Sequence, residues 1–242
     1  FCFSSRRRHT RLLTVTGVQT CALPIWIAIA PPYETYILYE VYITPGLLGM
    51  IQLFNGMQSS LSMVYDREMG SMRILLVSPL PRSFLVMSKL LAGTAVSIVQ
   101  CYVFLAIAWW YGIEPPVMGY LWVLPALVVS GLMLGALGML LSSFIKQLEN
   151  FAGVMNFVIF PMFFISSALY PLWKLQESNE WLARLAEFNP FTKGVELIRF
   201  ALYGQLETGA LYFTISALLL FLFIAIQGYN PSRGMMVKKR GR

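Results

Sequence analysis

Histidine, cysteine and charged residues are scarce in this chain. Of its 242 residues, one is a histidine, three are cysteines and 12% are charged. Zinc sites and acid–base catalysis most often use histidine or cysteine, so both classes of chemistry are disfavoured. A nucleotide-binding P-loop ends in Gly-Lys-Ser or Gly-Lys-Thr, and no such triplet occurs. We therefore expect no catalytic residue, no metal site and no ATP-binding loop in this chain.

The first 25 residues differ from the rest, and we expect them to be foreign to the protein. Residues 4–25 resemble a translated short-read sequencing adapter, whose codons encode Ser5–Arg11 and Val15–Ile25 without a mismatch. A genuine basic N-terminal arm is the alternative. Without residues 1–25 the chain has 14 basic and 11 acidic residues, a net charge of +3 instead of +7, and Cys101 is its one cysteine. This charge does not indicate a nucleic-acid partner, and a lone cysteine excludes an internal disulfide.

Five long apolar stretches follow, and none contains Asp, Glu, Lys or Arg. The chain is 57% hydrophobic, its mean hydropathy is +0.66, and about 20 apolar residues span the hydrocarbon core of a membrane. A soluble helical core would need charged outer faces, which these stretches lack. We predict an all-α integral membrane protein with the spans Pro45–Tyr65, Leu90–Tyr111, Tyr120–Ile145, Phe151–Leu172 and Thr208–Tyr229.

The basic residues predict the orientation of these spans. Residues 66–89, Lys146 and the tail hold ten basic residues, whereas the opposite side holds four. Basic residues favour the cytoplasmic side, so residues 66–89 and the C-terminus should be cytoplasmic. With five spans and a cytoplasmic C-terminus, residues 31–44 should lie on the outer side of the membrane. We therefore expect five complete transmembrane helices with the first of six missing, its place taken by the adapter-like residues.

Small and polar residues within the spans are candidates for helix contacts and for a substrate path. Gly131, Gly135 and Gly138 form a strip of small residues. Such a strip lets another helix approach closely, and that helix can belong to the same chain or to a second subunit. The candidate path residues are Asn55, Gln58, Ser59, Gln100 and Asn156. Amides in membrane helices usually bond to a neighbouring helix, which is the alternative role for each. A path without charges suits an amphipathic or lipid-like substrate better than a small ion.

The loop at residues 66–89 carries the most information. Charged residues extend the preceding helix beyond the membrane, and Gly70 suits the end of that helix. Ser71–Val77 has the pattern of a short amphipathic helix that Pro79 and Pro81 end. A passive loop at the membrane surface is the alternative.

With this loop the chain resembles the permeases of ABC-2 type transporters, which are export subunits. The resemblance extends from about Pro31 to the tail and rests on Arg67-Glu68-Met69-Gly70-Ser71-Met72, Leu75-Leu76-Val77-Ser78-Pro79, Arg82, Lys89-Leu90-Leu91, FPMFFISSALYPL and NPFTKGVELIR. Within the family the chain looks most like permeases encoded beside quinoprotein alcohol-oxidation systems. The resemblance implies a type V exporter-like helical bundle over residues 26–230, with a basic tail at 231–242, in the bacterial inner membrane. We expect the family's amphipathic N-terminal helix and first span to be missing from this sequence.

The resemblance also implies the partners and the coupling residues. The loop would dock on a separate ATPase subunit, which binds the ATP and magnesium, and a second permease copy or a related permease would complete the path. The residues implied in docking are Asp66, Arg67, Glu68, Gly70, Arg73, Pro79 and Arg82.

The segment at residues 173–207 is too polar to span a membrane, but its apolar residues recur at helical spacing. The resemblance implies short helices that dip into the outer leaflet as a lid, with the gate candidates Asn189, Pro190, Lys193, Glu196 and Arg199. The Asn-Pro pair should separate two helices. A Lys193–Glu196 or Glu196–Arg199 ion pair is the simpler role for the charges.

Other classes of membrane protein remain open. An ion-coupled secondary carrier would usually place ionisable groups or broken helices near mid-membrane, and the predicted spans carry no charge. An intramembrane enzyme would need a nucleophile with a base, or paired carboxylates. A scaffold without transport activity is compatible with the composition.

Overall fold

The computed structural model describes residues 39–69, 82–112, 116–145, 148–172 and 180–228. Its elements are the helices α1 (Tyr39–Glu68), α2 (Arg82–Trp110), α3 (Val117–Phe144), α4 (Leu148–Phe164), α5 (Glu180–Phe188), α6 (Pro190–Leu202) and α7 (Thr208–Gly228). From Glu40 onward, the described residues belong to one compact unit. The predicted all-α membrane class is confirmed. The adapter-like residues, the predicted helix Ser71–Val77 and the basic tail lie outside the described residues.

Three of the described helices are long and apolar enough to cross a membrane: Ser83–Trp110, Val117–Phe144 and Thr208–Gly228. Each contains most of one predicted span. The first begins well before the predicted Leu90, because the helix that carries it starts at Arg82. Two further predicted spans do not meet this criterion, for different reasons.

The first of these, predicted at Pro45–Tyr65, lies in the 30-residue helix α1. This helix is long enough to cross a membrane but carries amides and hydroxyls along its middle, which lower its hydropathy. Its apolar side chains Leu48, Leu53 and Met57 are fully buried. Other helices therefore cover much of α1. The helix continues to Glu68, as predicted for the charged residues after Tyr65.

The second, predicted at Phe151–Leu172, is wrong as a single helix. Helix α4 has 17 residues and ends at Phe164, after which the chain turns. In this turn the Ser166 hydroxyl donates to the Phe163 carbonyl at 2.5 Å and accepts from the Ala168 N–H at 3.3 Å. Serine hydroxyls that bond to nearby backbone compete with helical hydrogen bonds, which explains the early end.

The polar segment before the last span forms α5 and α6, as predicted. Asn189 separates them and caps α6, and Pro190 occupies the first helical position, where its missing N–H costs nothing. Helix α6 packs against α3 and α7, and its Phe191, Val195 and Ile198 are almost completely buried. Of the two short helices in the predicted lid, α6 is therefore part of the core, whereas Ala186 is the buried residue of α5.

Candidate functional site

The ends of α1 and α2 that flank residues 70–81 are joined by an ion pair. We call this end of the bundle the loop end. The Lys89 ammonium contacts the Asp66 carboxylate, and the two side chains are 26% and 25% exposed. The Lys89 ammonium also lies 3.4 Å from the Ser62 hydroxyl, and the Ser59 hydroxyl donates to the Lys89 carbonyl at 3.4 Å. Lys89 is thus bound to α1 by its side chain and its backbone.

The predicted docking residues divide between this end and the undescribed loop. Asp66, Arg67 and the exposed Glu68 are in the last turn of α1, and Arg82 begins α2. Gly70, Arg73 and Pro79 lie outside the described residues. Lys89 was not among the predicted docking residues. Lys89 and Asp66 carry opposite charges and lie on either side of the loop in the sequence. This pattern could have identified Lys89.

An apolar cluster supports the loop end. Met63 of α1, Val86 of α2, Met139 of α3 and Ala225 of α7 are buried together. Four helices therefore meet beside the ion pair.

Two amides of α1 bond to neighbouring helices. The buried Gln52 donates to the Leu127 carbonyl at 2.7 Å and accepts from the Ser130 hydroxyl at 2.6 Å, which joins α1 to α3. Asn55 donates to the Gln100 side-chain oxygen at 2.6 Å, which joins α1 to α2. Gln52 was not among the predicted path residues, although it has the same chemistry.

The five candidate path residues do not form one cluster. Asn55 and Gln100 bond to each other, Ser59 bonds to α2, and Gln58 and Asn156 are exposed. Between α1, α2 and α3, the space lined by Gln52, Ser59, Thr94 and their neighbours leaves no room for a water molecule. The candidate path residues therefore do not surround an open channel at this place.

The three glycines of the predicted strip face other helices of the same chain. A Cβ atom on Gly131 would lie 3.0 Å from Thr94 Cγ2 of α2, and one on Gly138 would lie 2.9 Å from the Gly56 carbonyl oxygen of α1. A Cβ atom on Gly135 would lie 2.6 Å from Leu90 Cδ1. The absence of side chains at these positions lets α3 approach both neighbours closely.

At the opposite end of the bundle, side chains from α1 and α6 bind one carbonyl that follows α4. The Ser167 carbonyl accepts from the Tyr42 hydroxyl and from Arg199 Nη2, each at 2.8 Å. The Arg199 guanidinium also lies 4.1 Å from the centroid of the Tyr42 ring, a favourable cation–π distance. This set of contacts ties together the start of α1, the turn after α4 and α6.

The other gate candidates lie on or beside α6. Lys193 pairs with Glu196 at 3.0 Å, with side-chain exposures of 20% and 11%, so this is the ion pair that forms. Arg199 donates to the Ser167 carbonyl, so the alternative Glu196–Arg199 pair is not the contact that Arg199 makes. Burial raises the pKa of the nearby Tyr203 hydroxyl, and the charge of Arg199 partly opposes the shift. Among the described residues, no group of three or more His, Cys, Asp or Glu side chains could hold a metal ion.

Comparison with protein families gives one match for this chain. The model of the family described as "ABC-2 type transporter" matches residues 4–203. This range includes residues 4–25, whose foreign origin therefore stays a prediction. No solved structure matches the chain.

Curated relatives include two proteins that are named as permeases. The "Probable multidrug ABC transporter permease YbhR" of Escherichia coli (strain K12) is 31% identical over 161 residues, 65% of this chain and 42% of that protein. The "Putative transport permease ycf38" of Porphyra purpurea is 27% identical over 165 residues, 67% of this chain and 55% of that protein. "Nodulation protein J" of Rhizobium leguminosarum bv. viciae is 30% identical over 115 residues, 48% of this chain and 40% of that protein. The chain thus spans about half the length of the relatives it matches.

Proposed function

The chain belongs to the ABC-2 type transporter family, and we propose that it is the permease subunit of an ATP-driven exporter. In this proposal it forms half of a translocation path, and a second copy or a related permease forms the other half. ATP and magnesium bind to separate ATPase subunits. The protein lies in the bacterial inner membrane with its C-terminus in the cytoplasm.

The observation that carries the proposal is the family match over residues 4–203. Two of the relatives are named as permeases, and one of these is named for multidrug transport. The three membrane-spanning candidates agree with a permease role, because a permease has to surround its substrate with helices.

The proposed docking surface consists of the end of α1 and the loop that follows it. Asp66, Arg67 and Glu68 supply both signs of charge within one helical turn, which can fix the orientation of a docked partner. Gly70, Arg73, Pro79 and Arg82 complete the surface in this proposal. The exposed Met69 offers an apolar contact beside the charges.

The proposed substrate is amphipathic or lipid-like. The space lined by Gln52, Ser59 and Thr94 has no room for a water molecule, so the proposed path runs along a face of this bundle toward the second permease. Gln58 of α1 and Asn156 of α4 are exposed polar side chains, and in this proposal they lie on that face. Asn55, Ser59 and Gln100 lie beside it in the proposal, and Asn189, Pro190, Lys193, Glu196 and Arg199 form the outer gate.

Co-purification from cells tests the docking. The chain is expressed with an ATPase encoded beside its gene, and we expect the ATPase to co-purify with it. The double variant Glu68→Gln/Arg73→Gln should lose most of the bound ATPase. The matched control Glu180→Gln changes an exposed glutamate on α5, away from the loop, and should retain it. Full retention by the double variant would contradict the docking surface.

Transport in vesicles tests the energy source. Inverted membrane vesicles that contain the complex should move a fluorescent phosphatidylethanolamine between leaflets when ATP is added. Movement that follows a proton gradient without ATP would support an ion-coupled carrier instead. Movement under neither condition, with no bound ATPase, would support a scaffold.

A further inference from the structure

We propose that the Asp66–Lys89 ion pair is a clamp that makes the loop ends of α1 and α2 move as one unit. In this proposal Lys89 is a positioning residue for coupling between the ATPase and the membrane helices. The coupling role rests on the proposed function, since it requires a loop that an ATPase moves.

The clamp is built along one face of α1. Ser59, Ser62 and Asp66 recur at three- and four-residue spacing, so they lie on the same side of that helix. All three contact Lys89: Ser59 its carbonyl, and Ser62 and Asp66 its ammonium. On α2, Gly93 lies one turn after Lys89 and faces Ser59, where a Cβ atom would be 2.7 Å from the hydroxyl oxygen. The glycine therefore permits the close approach that the ion pair needs.

The position of the pair determines what it can transmit. Asp66 lies two residues before the end of α1, whereas Lys89 is seven residues after the start of α2. The first two turns of α2 therefore extend beyond the pair, about 10 Å at 1.5 Å per residue. Ser83, Phe84 and Met87 in these turns are exposed, while Val86 packs in the cluster with Met63 and Met139. A force on the loop would act on this extension, and the clamp would pass it to α1.

The environment makes the pair more than a surface contact. Ion pairs in water contribute little because solvent screens them and the side chains lose freedom. Here about three quarters of each side chain is covered, so screening is weaker, and loss of one partner leaves the other charge mostly covered and unpaired. The Glu180–Arg184 pair on α5 is the opposite case, with exposures of 69% and 71%, and provides a matched control.

Spin-label distances test the clamp without an ATPase. Labels at Met69→Cys and Phe84→Cys, both exposed positions, report the separation of the two helix ends in lipid nanodiscs. Cys2 and Cys21 are replaced by serine, and the buried Cys101 is kept. We expect a narrow distance distribution that becomes about twice as broad in Lys89→Gln or Asp66→Asn, because either variant removes the contact between the helices and leaves one charge without its partner. The charge swap Asp66→Lys/Lys89→Asp should restore the narrow distribution, and Arg184→Gln should leave it unchanged. Unchanged widths in both neutral variants would overturn the proposal.

Transport per ATP hydrolysed tests the coupling role. In vesicles with the partner ATPase, Lys89→Gln should lower this ratio for the fluorescent lipid by about threefold, a coupling change of ordinary size. ATPase binding should be retained, and the conservative variant Lys89→Arg, which leaves Asp66 unchanged, should recover the ratio. A Lys89→Gln protein that loses ATPase binding and transport together would show a docking or folding role and overturn the clamp. If the unsubstituted chain binds no ATPase, the proposed function fails, and the coupling role of Lys89 fails with it. The spin-label distances then still show whether the Asp66–Lys89 pair holds the loop ends of α1 and α2 together.

Discussion

Asn189 shows how one residue combines a local role with a distant one. Its side-chain oxygen accepts from the Phe191 N–H at 3.0 Å, which caps α6. Its amide nitrogen donates to the carbonyls of Met162 at 2.6 Å and Ile165 at 2.9 Å, at the end of α4. The last carbonyls of a helix lack partners within the helix, so these contacts satisfy groups that would otherwise be unpaired. Asparagine supplies both an acceptor and a donor in one small group.

This geometry predicts that Asn189→Asp destabilises the protein, although asparagine and aspartate are equally good N-caps. The carboxylate keeps the cap of α6 but has no donor for the two carbonyls and faces their partial negative charge. We expect a loss of about 1–3 kcal/mol, the usual effect of leaving buried polar groups unpaired. The measurement is the melting temperature of the detergent-solubilised protein, defined as the temperature at which its monodisperse peak in size-exclusion chromatography falls to half.

Asn189→Ala provides the comparison, since it removes both the cap and the donor. The melting temperature of Asn189→Asp should be no higher than that of Asn189→Ala. An Asn189→Asp protein as stable as the unsubstituted chain would mean that the contacts with α4 contribute nothing.

At this scale the sequence predicts the local role and misses the distant one. The Asn-Pro pair indicates the break between α5 and α6, because capping and proline preferences act within a few residues. The bonds from Asn189 to α4 connect positions 24 and 27 residues apart. The bond between Gln52 and Ser130 connects positions 78 residues apart. No periodic pattern contains such pairings, so only the packed structure reveals them.

At the scale of helices, the sequence predicts apolar length well and packing poorly. The spans in α2, α3 and α7 follow from composition, because a long apolar run has few stable alternatives in a membrane. Helix α4 ends early because the Ser166 hydroxyl bonds to the Phe163 carbonyl and the Ala168 N–H, a competition that hydropathy does not measure. The burial of α6, despite Lys193, Glu196 and Arg199, depends on partners in other elements.

The glycines of α3 lead to a prediction about helix packing. Gly138→Ala places a Cβ atom against the Ser60 hydroxyl and 2.9 Å from the Gly56 carbonyl oxygen, so α1 and α3 must separate. Overpacking of this kind costs about 1–3 kcal/mol. We expect the melting temperature, measured from the same chromatography peak, to fall by about 3 °C or more.

Gly153→Ala on α4 is the matched control, because a Cβ atom there meets nothing within 4 Å. It should be neutral or stabilise the helix by up to about 1 kcal/mol, the difference between alanine and glycine in a helix. Equal effects of the two substitutions would show that the contact between α1 and α3 is loose.

At the scale of the whole molecule, the arrangement of helix ends determines which segments share a side of the membrane. The cluster of Met63, Val86, Met139 and Ala225 brings the end of α1, the start of α2 and the ends of α3 and α7 together. The loop at residues 66–89 and the tail after α7 should therefore lie on one side. Helix α5 lies between α4 and α6, in the segment that the sequence predicts on the opposite side.

Cysteine labelling in bacterial cells tests this arrangement with two exposed positions, Met69→Cys at the loop end and Glu187→Cys on α5. Ten basic residues on the side of the loop against four on the other predict that the loop side is cytoplasmic. A membrane-impermeant maleimide should therefore label Glu187→Cys in intact cells and Met69→Cys only after permeabilisation. With Cys2 and Cys21 replaced by serine, the parent chain should stay unlabelled, because its remaining Cys101 is buried. Labelling of Met69→Cys in intact cells would put the loop outside, where no cytoplasmic ATPase could reach it, and would reject the docking surface together with the orientation.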